Sequence, residues 1–334
     1  MNKLFYLLVS VLLSNCSEKP THAYPTTGQL ITYDPEFLTI IDTSLKAEIL
    51  ADSFDWSEGP LFLPEQGFLV FSDVPRNTIY KWTEAKGIEV YLTPSGYTDS
   101  TPSLCKEPGS NGLTLDPQGR LVLAQHGNRQ VARMEAPLDK PLPTFTTLAD
   151  KFNGKRLSSP NDCVFNSAGE LFFTDPPYGL RTQDDSDSAK ELPFNGVYKV
   201  KKKGEIVLLV DSITRPNGIA FLPGEQQLLV ANSDPAKPYW YMFDIAGDSL
   251  THGRIFFDPS VHEPGWNGLP DGFKVSKKGI VMASGPGGIY FFTAQGKKLG
   301  LLRLENSASN CALSADEKTL YITNDMYLLR IALK

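Results

Sequence analysis

Apolar residues in this chain come in short alternating runs rather than in helical stripes. In SNGLTLDPQGRLVLA, starting at Ser110, Leu113 and Leu115 lie two apart, a turn falls at Asp116-Pro117-Gln118-Gly119, and the apolar positions resume at Leu121. Two-residue periodicity broken by a tight polar turn predicts a β-hairpin. The pattern returns as SEGPLFLPEQGFLVFSD from Ser57, PNDCVFNSAGELFFTDP from Pro160, PNGIAFLPGEQQLLVAN from Pro216, PDGFKVSKKGIVMASG from Pro270 and SNCALSADEKTLYITND from Ser309. A third strand is predicted after several copies, over residues 78–82, 196–200, 239–243 and 288–292. Long amphipathic helical periodicity is scarce.

Six hairpin-based copies spaced by about fifty residues are the signature of an array that closes on itself. One such unit cannot bury both of its faces, whereas blades packed radially do. The chain is therefore predicted to be all-β, a six-bladed β-propeller over residues 34–334. A β-sandwich is the competing architecture, but it does not require an oxygen-bearing residue at one fixed place in every unit. The sixth copy runs out at residues 328–333, leaving no room for an outermost strand. FLTIIDTSLKAEIL, residues 37–50, is placed to supply it, so that the last blade is closed by an N-terminal strand.

The chain has 334 residues, 41% hydrophobic and 21% charged, enough apolar surface for a real core. Its 27 glycines and 25 prolines are spread as turn punctuation. A formal charge of −6 argues against a nucleic-acid partner and favours a metal or a neutral ligand. Residues 1–15 read as a signal peptide, with a basic start at Lys3 and an apolar run, LFYLLVSVLL, too short to cross a bilayer. The following Leu13-Ser14-Asn15-Cys16 resembles a lipoprotein cleavage box, which would put lipid on Cys16, make residues 16–33 a tether and leave the lipid anchor as the membrane contact. An exported protein, periplasmic or held at the outer membrane, and monomeric, is expected; plain secretion is the alternative. Cys105, Cys163 and Cys311 then remain, an odd number that implies no disulfide framework, and no Cys/His cluster has zinc spacing.

The second residue of each copy is Glu58, Asn111, Asn161, Asn217, Asp271 or Asn310. In a propeller, equivalent residues entering the innermost strands converge on the axis, so two carboxylates and four amides should meet there. Hard oxygen donors without thiolate or imidazole suit Ca²⁺, with Mg²⁺, Mn²⁺ or Zn²⁺ as substitutes. Asn-Gly and Asp-Gly also serve simply as turn formers. Glu58 in the same slot is poorly explained by a turn and well explained by coordination.

SEGP at Glu58, SPND at Asn161, RPNGIAF at Asn217, PDGF at Asp271 and FTDPPYGL from Phe173 resemble the motifs of the gluconolactonase and regucalcin (senescence marker protein) family, FTDPPYGL those of its bacterial gluconolactonase branch. The resemblance implies a metal held by Glu58, Asn217 and Asp271, with Asn161 in the metal or substrate shell and Asp271 as catalytic carboxylate. The function implied is a metal-dependent hydrolase opening a sugar (aldono)lactone, with a small lactone as substrate. Two other readings stand beside it: a non-catalytic, calcium-stabilised propeller that binds a sugar or a protein, and a promiscuous paraoxonase-like esterase.

In such a hydrolase a polarised ester carbonyl would be attacked by water, with Asp271 taking the proton and Asp162 as second candidate. No GxSxG is present, and His126, His252 and His262 have no evident nucleophile partner. Substrate contacts are expected from Asn111, His126, Arg129, Tyr178 and Asn310. Trp240 and Trp266 are candidates for stacking on a sugar, or for filling gaps between blades. Cys163 and Cys311, at the same place in two copies, are expected to be buried and inert.

Overall fold

A computed structural model describes residues 23–259 and 266–334. The predicted signal peptide, Cys16 and His262 lie outside the described residues. Among the described residues no helix is long and apolar enough to cross a membrane.

Each sequence copy forms one antiparallel blade, named here from the axis outward. Blade 1 is Ser57–Leu63, Phe68–Asp73, Thr78–Thr83 and Gly87–Leu92; blade 2 is Ser110–Leu115, Leu121–Gln125, Gln130–Met134 and Phe145–Ala149. Blade 3 is Cys163–Phe165, Leu171–Asp175, Gly196–Val200 and Ile206–Val210; blade 4 is Pro216–Phe221, Gln227–Asn232, Trp240–Ala246 and Ser249–Phe257. Blade 5 begins with Phe273–Val275, Val281–Gly285, Gly288–Phe292 and Lys298–Arg303; blade 6 begins with Ala308–Leu313, Thr319–Asn324 and Tyr327–Ala332. Ala47–Ala51 pairs with Tyr327–Ala332 and completes blade 6, so the ring is closed by a strand from the N-terminal region.

Two expectations for that region are corrected. The strand covers only Ala47–Ala51, because Pro35–Thr39 forms a 3₁₀ turn capped by Asp34, whose carboxylate accepts the N–H of Glu36 at 3.0 Å. This turn drives Phe37 into the core, against Phe291 and over Gly300, where no side chain stands in its way. The predicted tether also ends earlier than residue 33. Thr26–Thr27 adds a fifth strand to blade 6 and Gln29–Thr32 a fifth strand to blade 5.

The core is partitioned by the radial packing. Phe71 and Leu69 face blade 6 while Val70, between them, faces blade 2. Likewise Phe172 packs toward blade 4 and Phe173 toward blade 2. A strand buried on both faces has no polar side, which is why the second strand of each copy reads as a continuous apolar run. Trp240, 1% exposed, fills the gap between blades 4 and 5 against Tyr290 and Phe292. It is a packing residue, and the stacking role considered for it does not apply.

Three of the four glycines after the ring positions answer the turn question, while Gly59, with a φ of 50°, does adopt the left-handed conformation. Gly112, Gly218 and Gly272 do not have positive φ. They are small because the next blade arrives there: a Cβ on Gly218 would stand 2.3 Å from the carbonyl oxygen of Asp271, and one on Gly272 2.0 Å from Cγ of Asn310. Gly218→Ala is therefore expected to destabilise the fold by ~1–3 kcal/mol through overpacking, read as a lowered denaturant midpoint. An unchanged midpoint would mean that blades 4 and 5 do not meet at this spacing.

Candidate active site

At the end of the axis where the innermost strands begin, Glu58, Asn111, Asn161, Asn217 and Asp271 line one cavity of about 350 Å³. Backbone pairing explains how they converge. The first core pairs along the innermost strands are Leu113↔Leu123, Cys163↔Phe173, Ile219↔Val230, Phe273↔Ala283 and Cys311↔Ile322. Two residues before each stand Asn111, Asn161, Asn217, Asp271 and, in blade 6, Ser309. Bulges at Ser110/Leu113 and Pro216/Ile219 set Asn111 and Asn217 off the ladder, the usual way a strand re-aims a side chain. Hydroxyls from second strands then tie the ring together. Ser72 donates to the carbonyl of Asn111 at 2.9 Å, Thr174 to that of Asn217 at 2.8 Å, and Ser284 to that of Ser309 at 2.8 Å.

This register corrects the place of two predicted residues. Asn310 sits one step further along the strand, beside Asp162 rather than beside Asn161, because the bulge of blade 6 falls at Ala308/Asn310. Neither Asn310 nor Asp162 lines the cavity. Each sits one residue beyond the ring position and accepts the N–H of the residue after it at 2.8 Å, Cys163 for Asp162 and Cys311 for Asn310. Asp162 is thus a support of the ring and not placed to take a proton from bound water. Asn310 reaches upward, its Nδ2 3.4 Å from Oε2 of Glu58.

The peripheral candidates divide. Tyr178 lines the cavity, its hydroxyl 3.4 Å from the carbonyl of Ser233. Arg129 does not; its Nε donates to the carbonyl of Leu157 at 2.8 Å, so it joins blades 2 and 3 rather than meeting substrate. His126 is fully buried behind the cavity wall. Trp266 lies in a separate surface groove, over the guanidinium of Arg303. Cys163 and Cys311 are buried free thiols, and burial pushes both upward in pKa. Glu107, Ser233, Leu269 and Trp56 also line the cavity and were not anticipated. Glu107 belongs to the loop between blades 1 and 2, and the one available signal was that every inter-blade loop ends at the ring.

The carboxyls of the cavity are all shifted in one direction. Burial first, then the charge of neighbouring carboxylates, Glu58 foremost, holds Asp271 well above the ordinary range. Burial likewise raises Glu58, opposed by the N–H of Gly59, which it accepts at 2.7 Å. Glu107 is pushed up to about 7 by burial. No lysine or arginine lines the cavity to offset them. Burying like charges without a counter-ion is costly, and a bound cation inverts that balance.

Two further features fit such an ion. Oδ1 of Asn161 and Oδ1 of Asp271 are buried without a hydrogen-bond partner, which is unusual for carbonyl and carboxylate oxygens. Asn217 turns its Nδ2 to Ser233 Oγ at 2.9 Å, which points its own Oδ1 elsewhere. Among the described residues no three His, Cys, Asp or Glu side chains form a metal cluster by themselves. A cation here would need the amide oxygens, as hard ions accept.

Fold and site together define a class: a six-bladed propeller whose axial pocket is lined by buried carboxylate and amide oxygens. Residues 56–325 match the SMP-30/Gluconolactonase/LRE-like region, and the chain belongs to that family. It is 36% identical over 315 residues to the gluconolactonase of Zymomonas mobilis subsp. mobilis, covering 92% of this chain and 87% of that protein. The structure of a gluconolactonase from Xanthomonas campestris matches with a TM-score of 0.79 at 30% identity, over 93% of this chain and 98% of that one. Regucalcin of Agrobacterium tumefaciens, described as a calcium-binding protein, matches with a TM-score of 0.63 at 14% identity, over 93% and 96% of the two chains, a likeness of fold alone.

Proposed function

We propose that the protein is a hydrolase that opens a sugar lactone and that it works with a divalent cation, Ca²⁺ in the first instance. The observation that carries this reading is the convergence of Glu58, Asn161, Asn217 and Asp271 on one buried cavity, in a chain 36% identical to a gluconolactonase. Glu58, Asn161, Asn217 and Asp271 would hold the ion. When bound, it supplies the positive charge that polarises a lactone carbonyl and stabilises the oxyanion formed by water attack.

The remaining work falls to the chain itself. Asp271 lines the cavity with its Oδ1 free of hydrogen bonds and would receive a proton from the attacking water. Tyr178, tied to Ser233, walls the pocket, and Leu269 and Trp56 narrow it against bulk water. The N-terminal apolar run and the Cys16 box support export of the chain and a lipid anchor as its membrane contact.

The test is turnover of glucono-1,5-lactone, followed above its spontaneous rate in a pH-stat, before and after chelation. Activity lost to chelator and restored by Ca²⁺ is the expected result. Loss of thermal stability on chelation with no turnover of any lactone would favour the non-catalytic, calcium-stabilised propeller.

A further inference from the structure

Glu107 stands apart from the ring. It comes from a loop rather than an innermost strand, yet its carboxylate lines the same cavity. Two polar groups lie against it, and one of them bonds to it. Oε1 accepts Nε2 of Gln183 at 2.9 Å, from the long loop that joins the second and third strands of blade 3. Oε2 lies 3.7 Å from Nδ1 of His126.

His126 has no other evident occupation. It is completely buried, and a Cβ on Gly179 would stand 2.4 Å from its own Cβ, so the ring is wedged between loops of blades 2 and 3. Neither ring nitrogen has a hydrogen-bond partner of normal geometry among the described residues. Burial drives its pKa down to about 3, so it stays neutral and offers one N–H. At 3.7 Å the imidazole lies outside hydrogen-bond reach of Oε2, so it packs beside the carboxylate without holding it.

Held by the one bond from Gln183, the carboxylate keeps free acceptor capacity, and the residue lines the cavity. With no lysine or arginine in the lining, the partner that fits, besides the ion of the ring, is a neutral hydrogen-bond donor. Whether ionised or protonated, the group bonds to a hydroxyl. Resting on the lactonase reading above, we propose that Glu107 is a specificity-determining residue that hydrogen-bonds a hydroxyl of the substrate, so that the site selects polyhydroxylated lactones over unsubstituted ones. A polar group buried to meet a hydroxyl discriminates against the analogue that lacks it, because the group is then left unpaired.

The test compares kcat/KM for glucono-1,5-lactone and for δ-valerolactone, which has the same ring and no hydroxyls, in wild type and Glu107→Ala with Ca²⁺ present. The ratio of the two constants is independent of the fraction of enzyme that folds, so a poorly folding variant still gives a reading. The ratio is expected to fall by about tenfold, the loss of one hydrogen bond to the substrate, and through KM for the sugar lactone. An unchanged ratio overturns the proposal. So does an equal loss on both substrates accompanied by weakened Ca²⁺ binding in calorimetry, which would make Glu107 a ligand of the ion. Wild type that turns over neither lactone would instead defeat the lactonase reading.

Discussion

Asp271→Asn is expected to lower kcat for a lactone by ~10²–10⁴-fold, the range for losing a positioned acid–base group, and to make the metal-free protein more stable. The two effects have one cause. Asp271 is buried beside Glu58, with Asp162 and Glu107 adding further negative charge. Without a cation these carboxylates repel one another in a medium that solvates them poorly. Replacing one by an amide of the same shape removes the repulsion and leaves the backbone carbonyl that abuts Gly218 untouched. The measurement is kcat with excess Ca²⁺, paired with the melting temperature in chelator. Undiminished turnover would remove Asp271 from the reaction, and a lower melting temperature in chelator would show that its charge is not a burden on the empty ring.

The second large effect is on the pH dependence of stability. Glu107 has an ordinary value of 4.5 and is raised to about 7 in the fold, while Glu58 and Asp271 are raised in the same direction by burial. A carboxyl whose pKa rises on folding favours the native state when protonated, so its contribution is complete below the unfolded value and lost as pH climbs through the folded one. Chelated protein is therefore expected to lose stability steadily from about pH 4.5 to 7 and beyond. Added Ca²⁺ should restore it most at the alkaline end, where the carboxylates are charged and bind the ion best. Glu58→Gln should flatten the chelated profile and shrink the Ca²⁺ response. Melting temperatures across pH, with and without the ion, decide the matter; a chelated profile that rises toward pH 8 would contradict the assignment of these groups.

Much of the fold could be read from sequence because radial packing buries both faces of the inner strands and writes the same apolar run into every copy. The ring was legible for the same reason, since Asn111, Asn161, Asn217 and Asp271 stand at one fixed distance before the first core pair. Asn310 was misplaced by one residue because a bulge is a backbone event, and Ser309-Asn310 aligns as well as Pro160-Asn161. Glu107 carries no repeat signal, being in a loop that occurs once. Arg129 was expected to contact substrate, but its backbone turns through a φ of 58° and its side chain reaches the carbonyl of Leu157. The 3₁₀ turn was signalled in Asp34-Pro35, a capping residue followed by a helix-starting proline, and was overruled by the apolar run after it. Thr26–Thr32 is short and polar, with the features of edge strands that only their neighbours stabilise.

The closure of blade 6 also sets a timetable. Arg330 and Glu48, ion-paired across the seam, are 282 positions apart in the chain, so the seam cannot form until residue 330 has been made. Glu58 and Asp271 belong to blades 1 and 5, which pack on either side of the blade that this seam completes. A growing or prematurely terminated polypeptide can possess every acidic residue of the pocket and still lack the pocket, which ties the birth of reactivity to the arrival of the sixth repeat rather than to the folding of any single one.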